Sequence, residues 1–257
     1  MTKVAGTKVD FAEVVRPPAE AYRRIVPVGY QELTLHLEGT SALLMSSGDA
    51  DRDSELYRAY ATLGKARKRS VEQEAQLRRM EWALRLYLDA EIGPYIPSAN
   101  IHELLQSAAS EWRLGEAVKR SLVVEQYRIP LEYDGPRKIE ELWDAGFRDL
   151  RMVKNAGSSR GRVVRCRPKF ENWSLTCQIA FDPEDHIDAE AVERIVERSQ
   201  KYGLGDYRPQ FGSFRATLGP LQDHAGSVKA DGLKPIDSLD EQGHRARRER
   251  IKPSGKE

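Results

Sequence analysis

Residues 162–181 read RVVRCRPKFENWSLTCQIAF, and this stretch carries the strongest fold signal in the chain. Two segments rich in β-branched, aromatic and other apolar residues flank Glu171-Asn172, which is the pattern of two antiparallel strands joined by a tight turn. Apolar side chains on the second segment recur at every other position and share one face, namely Trp173, Leu175, Cys177, Ile179 and Phe181. The stretch therefore predicts a β-hairpin with one face in the core.

The segments before this hairpin predict further strands and a polar insertion. In YQELTLHLEGT (30–40) and MEWALRLYL (80–88), apolar residues alternate with others, as in a half-buried strand. The strongly polar residues 46–79 between them favour two helical pieces, around 53–62 and 70–79. We interpret 46–79 as an insertion into the core fold.

Two amphipathic segments predict the main helices. From Ile101 to Trp112 the apolar residues are spaced by three and four, and Ser98 is placed to cap the first turn. Asp188 is placed to cap a second helix, which Gly203 ends. Two helices set against an antiparallel sheet predict an α+β fold, with a ferredoxin-like (RRM-type) sheet, two main helices and a helical insertion.

Composition limits the class of protein and its surroundings. The chain has 257 residues and a formal net charge of +1, so global charge gives no sign of a polyanionic partner. It has no apolar run long enough for a membrane span and no signal-peptide core, so we expect a cytoplasmic protein with reduced Cys166 and Cys177 and no membrane partner. The predicted parts are an N-terminal arm (1–29), an RRM-like domain (30–221) and a disordered charged tail (222–257).

Basic residues are concentrated before and within the predicted hairpin. Residues 148–169 hold eight cationic side chains and one acidic one. Strand periodicity places Arg165, Arg167 and Lys169 on one face, and Val164, Cys166 and Phe170 towards the core. Such a face can follow a phosphate backbone, or it can be a solvated face balanced by acidic partners elsewhere. The candidate contacts are Arg160, Arg162, Arg165, Arg167 and Lys169.

A glycine-rich loop, GLGDYRPQFGSF (203–214), follows the second helix. Glycines allow a backbone to approach a ligand closely, and an Arg between aromatic residues suits a sugar–phosphate chain with stacked bases. The alternative is a helix end followed by a turn. The candidate ligand contacts are Gly203, Gly205, Tyr207, Arg208, Phe211 and Gly212.

Three features coincide: Tyr95-Ile96-Pro97 at the mouth of a helix, the glycine-rich loop before the last strand, and an RRM-type order of elements. Together they resemble the RAMP superfamily, the RNA-binding backbone subunits of CRISPR effector complexes. The family motif reads Tyr-Ile-Pro-Gly-Ser-Ser-Leu-Lys-Gly. Here His102 stands in place of its Lys, and Glu103 in place of its last Gly. The resemblance spans roughly residues 30–218 and indicates a distant member, with a phage or mobile element as one possible source.

The resemblance implies that guide RNA crosses the helix mouth at Ser98, Asn100 and His102, the glycine-rich loop and the basic sheet edge. It also implies partner subunits, either copies of the chain or other proteins. Some family members cut target RNA with an aspartate in the loop after the first strand, where this chain has Asp49, Asp51 and Asp53. Those residues also suit a helix start capped by Asp53.

The leading functional prediction is a non-catalytic, antiviral-type guide-RNA-binding subunit of a nucleoprotein assembly, which binds single-stranded RNA mostly through its backbone. No histidines lie at metal-ligand spacing, and no cofactor is expected. Three alternatives stay open. They are a metal-dependent endoribonuclease using Asp49, Asp51 or Asp53, a single-stranded-DNA-binding or recombination accessory protein of a mobile element, and a purely structural protein.

Overall fold

The computed structural model describes residues 11–18, 23–48, 52–154 and 162–223. The helices are α1 Glu55–Lys65, α2 Val71–Leu84, α3 Ser98–Ala109, α4 Gly115–Ser121, α5 Ile139–Asp144 and α6 Ala189–Ser199, with short 3-10 turns at Ala12–Val14 and Ser110–Trp112. The strands are β1 Val15–Arg16, β2 Gln31–Gly39, β3 Leu43–Leu44, β4 Leu88–Asp89, β5 Gly93–Pro97, β6 Leu122–Val124, β7 Arg128–Pro130, β8 Glu132–Tyr133, β9 Arg148–Lys154, β10 Arg162–Phe170, β11 Trp173–Phe181, β12 Phe214–Leu218 and β13 Gln222–Asp223.

These strands form three sheets, and the α+β class is confirmed. The largest sheet has the order β12-β2-β11-β6, with β13 beside β2 and β8 beside β11. A second has the order β3-β10-β9, and a third β1-β4-β5-β7. The ferredoxin-like arrangement within the α+β class stays a prediction, as does the division into arm, domain and tail.

The predicted hairpin at 162–181 is correct in its strands and wrong in their pairing. β10 and β11 have the expected bounds, but β10 pairs with β9 and β3, whereas β11 pairs with β2, β6 and β8. Glu171-Asn172 therefore carries the chain from one sheet into another. Alternating polarity fixes which face of a strand is buried, but it does not identify the neighbouring strand.

The main core lies between the largest sheet and the helices α3 and α6. Leu35 and Leu37 of β2 and Leu175 and Ile179 of β11 are fully buried, as the alternation in both segments predicts. α3 packs against α6 and α4. The large side chains that α3 and α6 contribute to this core include Ile101, Leu104, Leu105, Val192, Ile195 and Val196.

The predicted strand at 80–88 is wrong, because α2 continues to Leu84. Met80, Glu81, Trp82 and Ala83 are all buried, so this last turn of the helix has no solvent side. A helix buried on all sides loses the amphipathic pattern that identifies it, and a short alternating run then imitates a strand. The two predicted helical pieces of the insertion are present as α1 and α2.

The predicted helix caps differ in their outcomes. Asp188 caps α6, where its Oδ1 accepts the Ala191 N–H at 2.7 Å. Ser98 is instead the first residue of α3, after Pro97, and no side chain caps that helix. α6 ends at Ser199, four residues before Gly203, and α1 is capped by Ser54 and not by Asp53.

Two further predictions differ from the structure, namely the burial of Val164 and the start of the tail at residue 222. Val164, expected in the core, is 41% exposed, because it lies near the start of β10, at the end away from β3. Gln222 and Asp223 form a strand beside β2, so the fold extends into the first two residues of the predicted tail. The rest of that tail lies outside the described residues. In the described ranges no helix is long and apolar enough to span a bilayer.

Both cysteines are buried and free, and burial raises the pKa of each thiol to about 12. The thiolate is the reactive species, so we expect neither thiol to react with Ellman's reagent at pH 8 in the native protein. Two thiols per chain should become reactive when urea unfolds it. Rapid labelling of the native protein would contradict this burial.

Candidate nucleic-acid interface

The glycine-rich loop is folded tightly against β3. The Asp206 N–H donates to the Leu44 carbonyl at 2.9 Å, and the Gly212 N–H donates to the Ala42 carbonyl at 2.8 Å. A third bond, from the Leu204 N–H to the Gly212 carbonyl at 2.8 Å, closes the loop on itself. The loop is therefore held in one place relative to the sheet.

The glycines of this loop are needed for its own packing. Gly203, Gly205 and Gly212 all have positive φ angles, of 69°, 81° and 68°. A Cβ at Gly205 would lie 2.5 Å from the Leu44 carbonyl oxygen, and one at Gly212 only 1.6 Å from the Leu204 oxygen. Close backbone packing accounts for these two glycines, so they need no ligand to explain them.

The basic face of β10 is paired with carboxylates. Arg165 contacts Glu81 at 2.9 Å and Arg167 contacts Asp206 at 2.6 Å. Lys169 contacts Glu171 at 2.5 Å. Of the two remaining candidates, Arg162 is exposed and Arg160 lies outside the described residues. The three central cations of this face are therefore balanced by acidic partners, which is one of the two alternatives that the sequence leaves open.

The loop aromatics pack against arginines of the neighbouring strands. The Arg151 guanidinium lies 4.3 Å from the Phe211 ring centroid and 5.3 Å from that of Tyr207. Arg167 lies 4.8 Å from the Tyr207 centroid. These cation–π contacts fix Tyr207 and Phe211 against the sheet. Arg208 between them is exposed.

The three candidate residues of the helix mouth are in different environments. Ser98 is buried, and its backbone N–H donates to the Tyr127 carbonyl at 3.0 Å. His102 is half-buried, and burial lowers its pKa, against the opposing effect of hydrogen bonds with the backbone at Val118 and Leu122. It is therefore neutral near pH 7 and does not supply the charge of the lysine in the family motif. Asn100 lines a cleft.

That cleft joins the helix mouth to the glycine-rich loop. Its volume is about 270 Å³, and Ile96, Asn100, Glu103 and Leu104 form one side. The opposite side is the loop itself, from Leu204 to Asp206, with Arg208. Asn100, Glu103 and Leu104 are three and four residues apart, so they share a helix face that excludes His102. Two motifs about 100 residues apart in sequence thus line one site.

A second cavity, of about 320 Å³, shares the lining residue Tyr87 with this cleft. A third, of about 190 Å³, shares Ser47 and Leu84 with the second cavity. We call the three together the Arg–Tyr groove, after four arginines and four tyrosines that line it. These are Arg16, Arg52, Arg85, Arg208, Tyr57, Tyr60, Tyr87 and Tyr95.

Several acidic side chains of the groove are already bound to the protein. Glu13 accepts the Leu56 N–H at 3.0 Å, and Glu81 binds Arg165 and the Cys166 N–H. Asp206 binds Arg167. Glu103 is exposed at the helix mouth. Among the described residues, three of the four acidic side chains that line the groove are thus bound within the protein, and the cleft at Glu103 is its acidic end.

The predicted aspartate site is described only at Asp53. Its side chain is 92% exposed and lies 3.7 Å from Arg58. Asp49 and Asp51 fall outside the described residues. Within the residues that the structure describes, no group of three or more His, Cys, Asp or Glu side chains is arranged to hold a metal ion.

Sequence reasoning missed most of the groove. The sequence predicts Tyr87 on a strand at 80–88, where α2 continues to Leu84. Arg52, Arg85, Tyr57 and Tyr60 belong to or border 46–79, which the sequence predicts as an insertion into the core fold. No local pattern marks these residues, because the three cavities meet only through the tertiary fold. Glu103 did carry a signal, as a departure from the family motif.

No protein-family profile matches this sequence, and no curated protein does. Among solved structures, the cryo-EM structure of the type III-B Cmr-beta bound to cognate target RNA contains a chain similar to this one, with a TM-score of 0.40 and 12% sequence identity. The match covers 76% of this chain and 60% of that chain. The match thus spans less than two thirds of the length of that solved chain.

Proposed function

We propose that the chain binds single-stranded RNA in the Arg–Tyr groove, as a non-catalytic subunit of a larger nucleoprotein assembly. The observation that carries the proposal is the succession of three cavities, linked by shared lining residues, from the glycine-rich loop, past the helix mouth, to the insertion. Arginines with tyrosines between them suit a flexible strand, because guanidinium groups bind phosphates and aromatic rings stack on bases.

The basic face of β10 has an indirect part in this proposal. Arg167 holds Asp206 and packs on Tyr207, and Arg165 holds Glu81 at the end of α2. These residues would position the glycine-rich loop and the insertion around the bound RNA strand. Arg162, which is exposed, would contact phosphate directly. The candidate contacts in the groove are Asn100, Tyr87, Arg85 and Arg208.

Assembly with copies of the chain or with other subunits belongs to the same proposal. Leu150, Met152 and Val164 lie on one face of the β9–β10 pair and are 52%, 63% and 41% exposed. Contiguous exposed apolar patches can mark protein–protein interaction sites. This cluster supports an assembled state.

Salt dependence of binding tests the proposal. With Arg52, Arg85 and Arg162 as phosphate contacts, we expect log affinity for a single-stranded RNA oligomer to fall against log salt concentration with a slope of about −2. Arg85→Gln should reduce the magnitude of that slope by about 0.7, since one phosphate contact is lost. Fluorescence anisotropy across a salt series measures both.

Arg194→Gln is the matched control, because Arg194 is exposed on α6 and does not line the groove. It should leave the slope unchanged. A salt-independent interaction, or equal effects of the two substitutions, would refute binding in the groove. Competition with a DNA oligomer of the same sequence separates RNA binding from the single-stranded-DNA alternative.

A further inference from the structure

We infer that the cleft between the helix mouth and the glycine-rich loop holds a single unpaired base of the bound strand, and that it selects guanine. The inference rests on the proposed function and adds a point of base recognition to binding that is otherwise through the backbone. It concerns Asn100, Glu103 and Arg208, three polar side chains that line the cleft.

The charge of the cleft disfavours a phosphate. Glu103 is exposed at its edge, and the Asp206 carboxylate lies beside it on the loop, although Arg167 neutralises Asp206. Arg208 is the cation that lines this cleft. A phosphate placed here would therefore face the Glu103 carboxylate.

The walls of the cleft suit a flat, partly apolar ligand. Tyr87, Ile96, Leu104 and Leu204 line it, and all but the half-buried Tyr87 are buried side chains. Its volume of about 270 Å³ lies just below the about 300–1,000 Å³ of drug-sized sites, which suits a ligand as small as one base. Tyr87 and the Arg208 guanidinium offer planar groups on which a base can stack.

The polar side chains of the cleft indicate which base it selects. A carboxylate only accepts hydrogen bonds, and an unpaired base presents its Watson–Crick edge. Guanine offers two adjacent donors, N1–H and the 2-amino group, so it can bind Glu103 with both. Adenine and cytosine offer one amino group, and uracil offers one N–H between two carbonyl oxygens that a carboxylate repels. The Asn100 amide can donate to guanine O6. The expected order of affinity for the four bases therefore begins with guanine and ends with uracil.

The test uses the full chain and 12-nucleotide uridine oligomers that differ at one central position. An oligomer with one guanine should bind about tenfold more tightly than all-uridine RNA, since a bidentate contact to a base discriminates by roughly this much. Inosine, which lacks the 2-amino group, should lose most of that gain, and an abasic position all of it. Glu103→Gln should remove the preference for guanine, because its amide replaces an accepting oxygen with a donor.

Glu193→Gln is the control, because it makes the same change at an exposed position of α6 that does not line the cleft. It should keep the full preference for guanine. Equal affinity for all oligomers, or a preference that survives Glu103→Gln, would overturn the guanine site and leave RNA binding intact. Failure to bind any oligomer would instead overturn the proposed function, and the site with it.

Discussion

Replacing Gly212 with alanine is expected to lower the free energy of unfolding by about 3 kcal/mol or more, the range of severe backbone substitutions. The new Cβ would lie 1.6 Å from the Leu204 carbonyl oxygen, which is far inside van der Waals contact. Gly212 also has a φ of 68°, where residues with a side chain are strained. Because backbone surrounds the position, the clash is relieved only by moving the whole loop.

Urea denaturation monitored by circular dichroism measures this loss. Gly64→Ala is the matched control, because it is the same substitution inside α1 with no atom within 4 Å of the added Cβ. It should stabilise the protein slightly, by about 0.5 kcal/mol, through helix propensity. At temperatures where Gly212→Ala remains folded, its RNA affinity should still fall, since the loop forms one wall of the cleft. Equal stability of the two variants would contradict the observed loop packing.

Sequence predicts the strands and helices of this fold better than their neighbours. The alternation in 162–181 gives both strands and their buried face, because side-chain periodicity is a local property. Their separation into two sheets depends on β2 and β6, which lie far away in sequence and leave no mark on this stretch, and on β9, the strand directly before β10 in the chain. The end of α2 shows the opposite difficulty, since burial on every side removes the polar face by which helices are recognised.

For the candidate site too, the sequence predicts local features but not the long-range contacts between them. The sequence identifies the helix mouth and the glycine-rich loop, and the structure brings both to one cleft. It also predicts a cationic face on β10, but it cannot show that Glu81 and Asp206 neutralise Arg165 and Arg167, since these partners lie 84 and 39 residues away. A count of charges in a segment therefore overstates the positive potential of a surface.

Asp89 is the buried charge that fixes the approach to the helix mouth, and its removal is the second large effect we expect. Its side chain is 1% exposed, and Oδ2 binds the Arg128 guanidinium at 2.5 Å. Oδ1 accepts the N–H groups of Glu91 and Ile92, which form the turn into β5. One carboxylate thus joins β4, this turn and β7, and β5 leads directly into α3.

Asp89→Ala should destabilise the protein by about 3 kcal/mol, because it leaves the largely buried Arg128 guanidinium without its carboxylate and frees two backbone donors. Asp89→Asn should cost less, since it keeps an oxygen for the turn and loses only the charge facing Arg128. Asp53→Ala removes a carboxylate from an exposed pair with Arg58 and should leave the urea midpoint unchanged. If Asp89→Ala behaved like Asp53→Ala, the carboxylate would not hold the turn. If it were destabilised but bound RNA normally, the position of α3 would not depend on this turn.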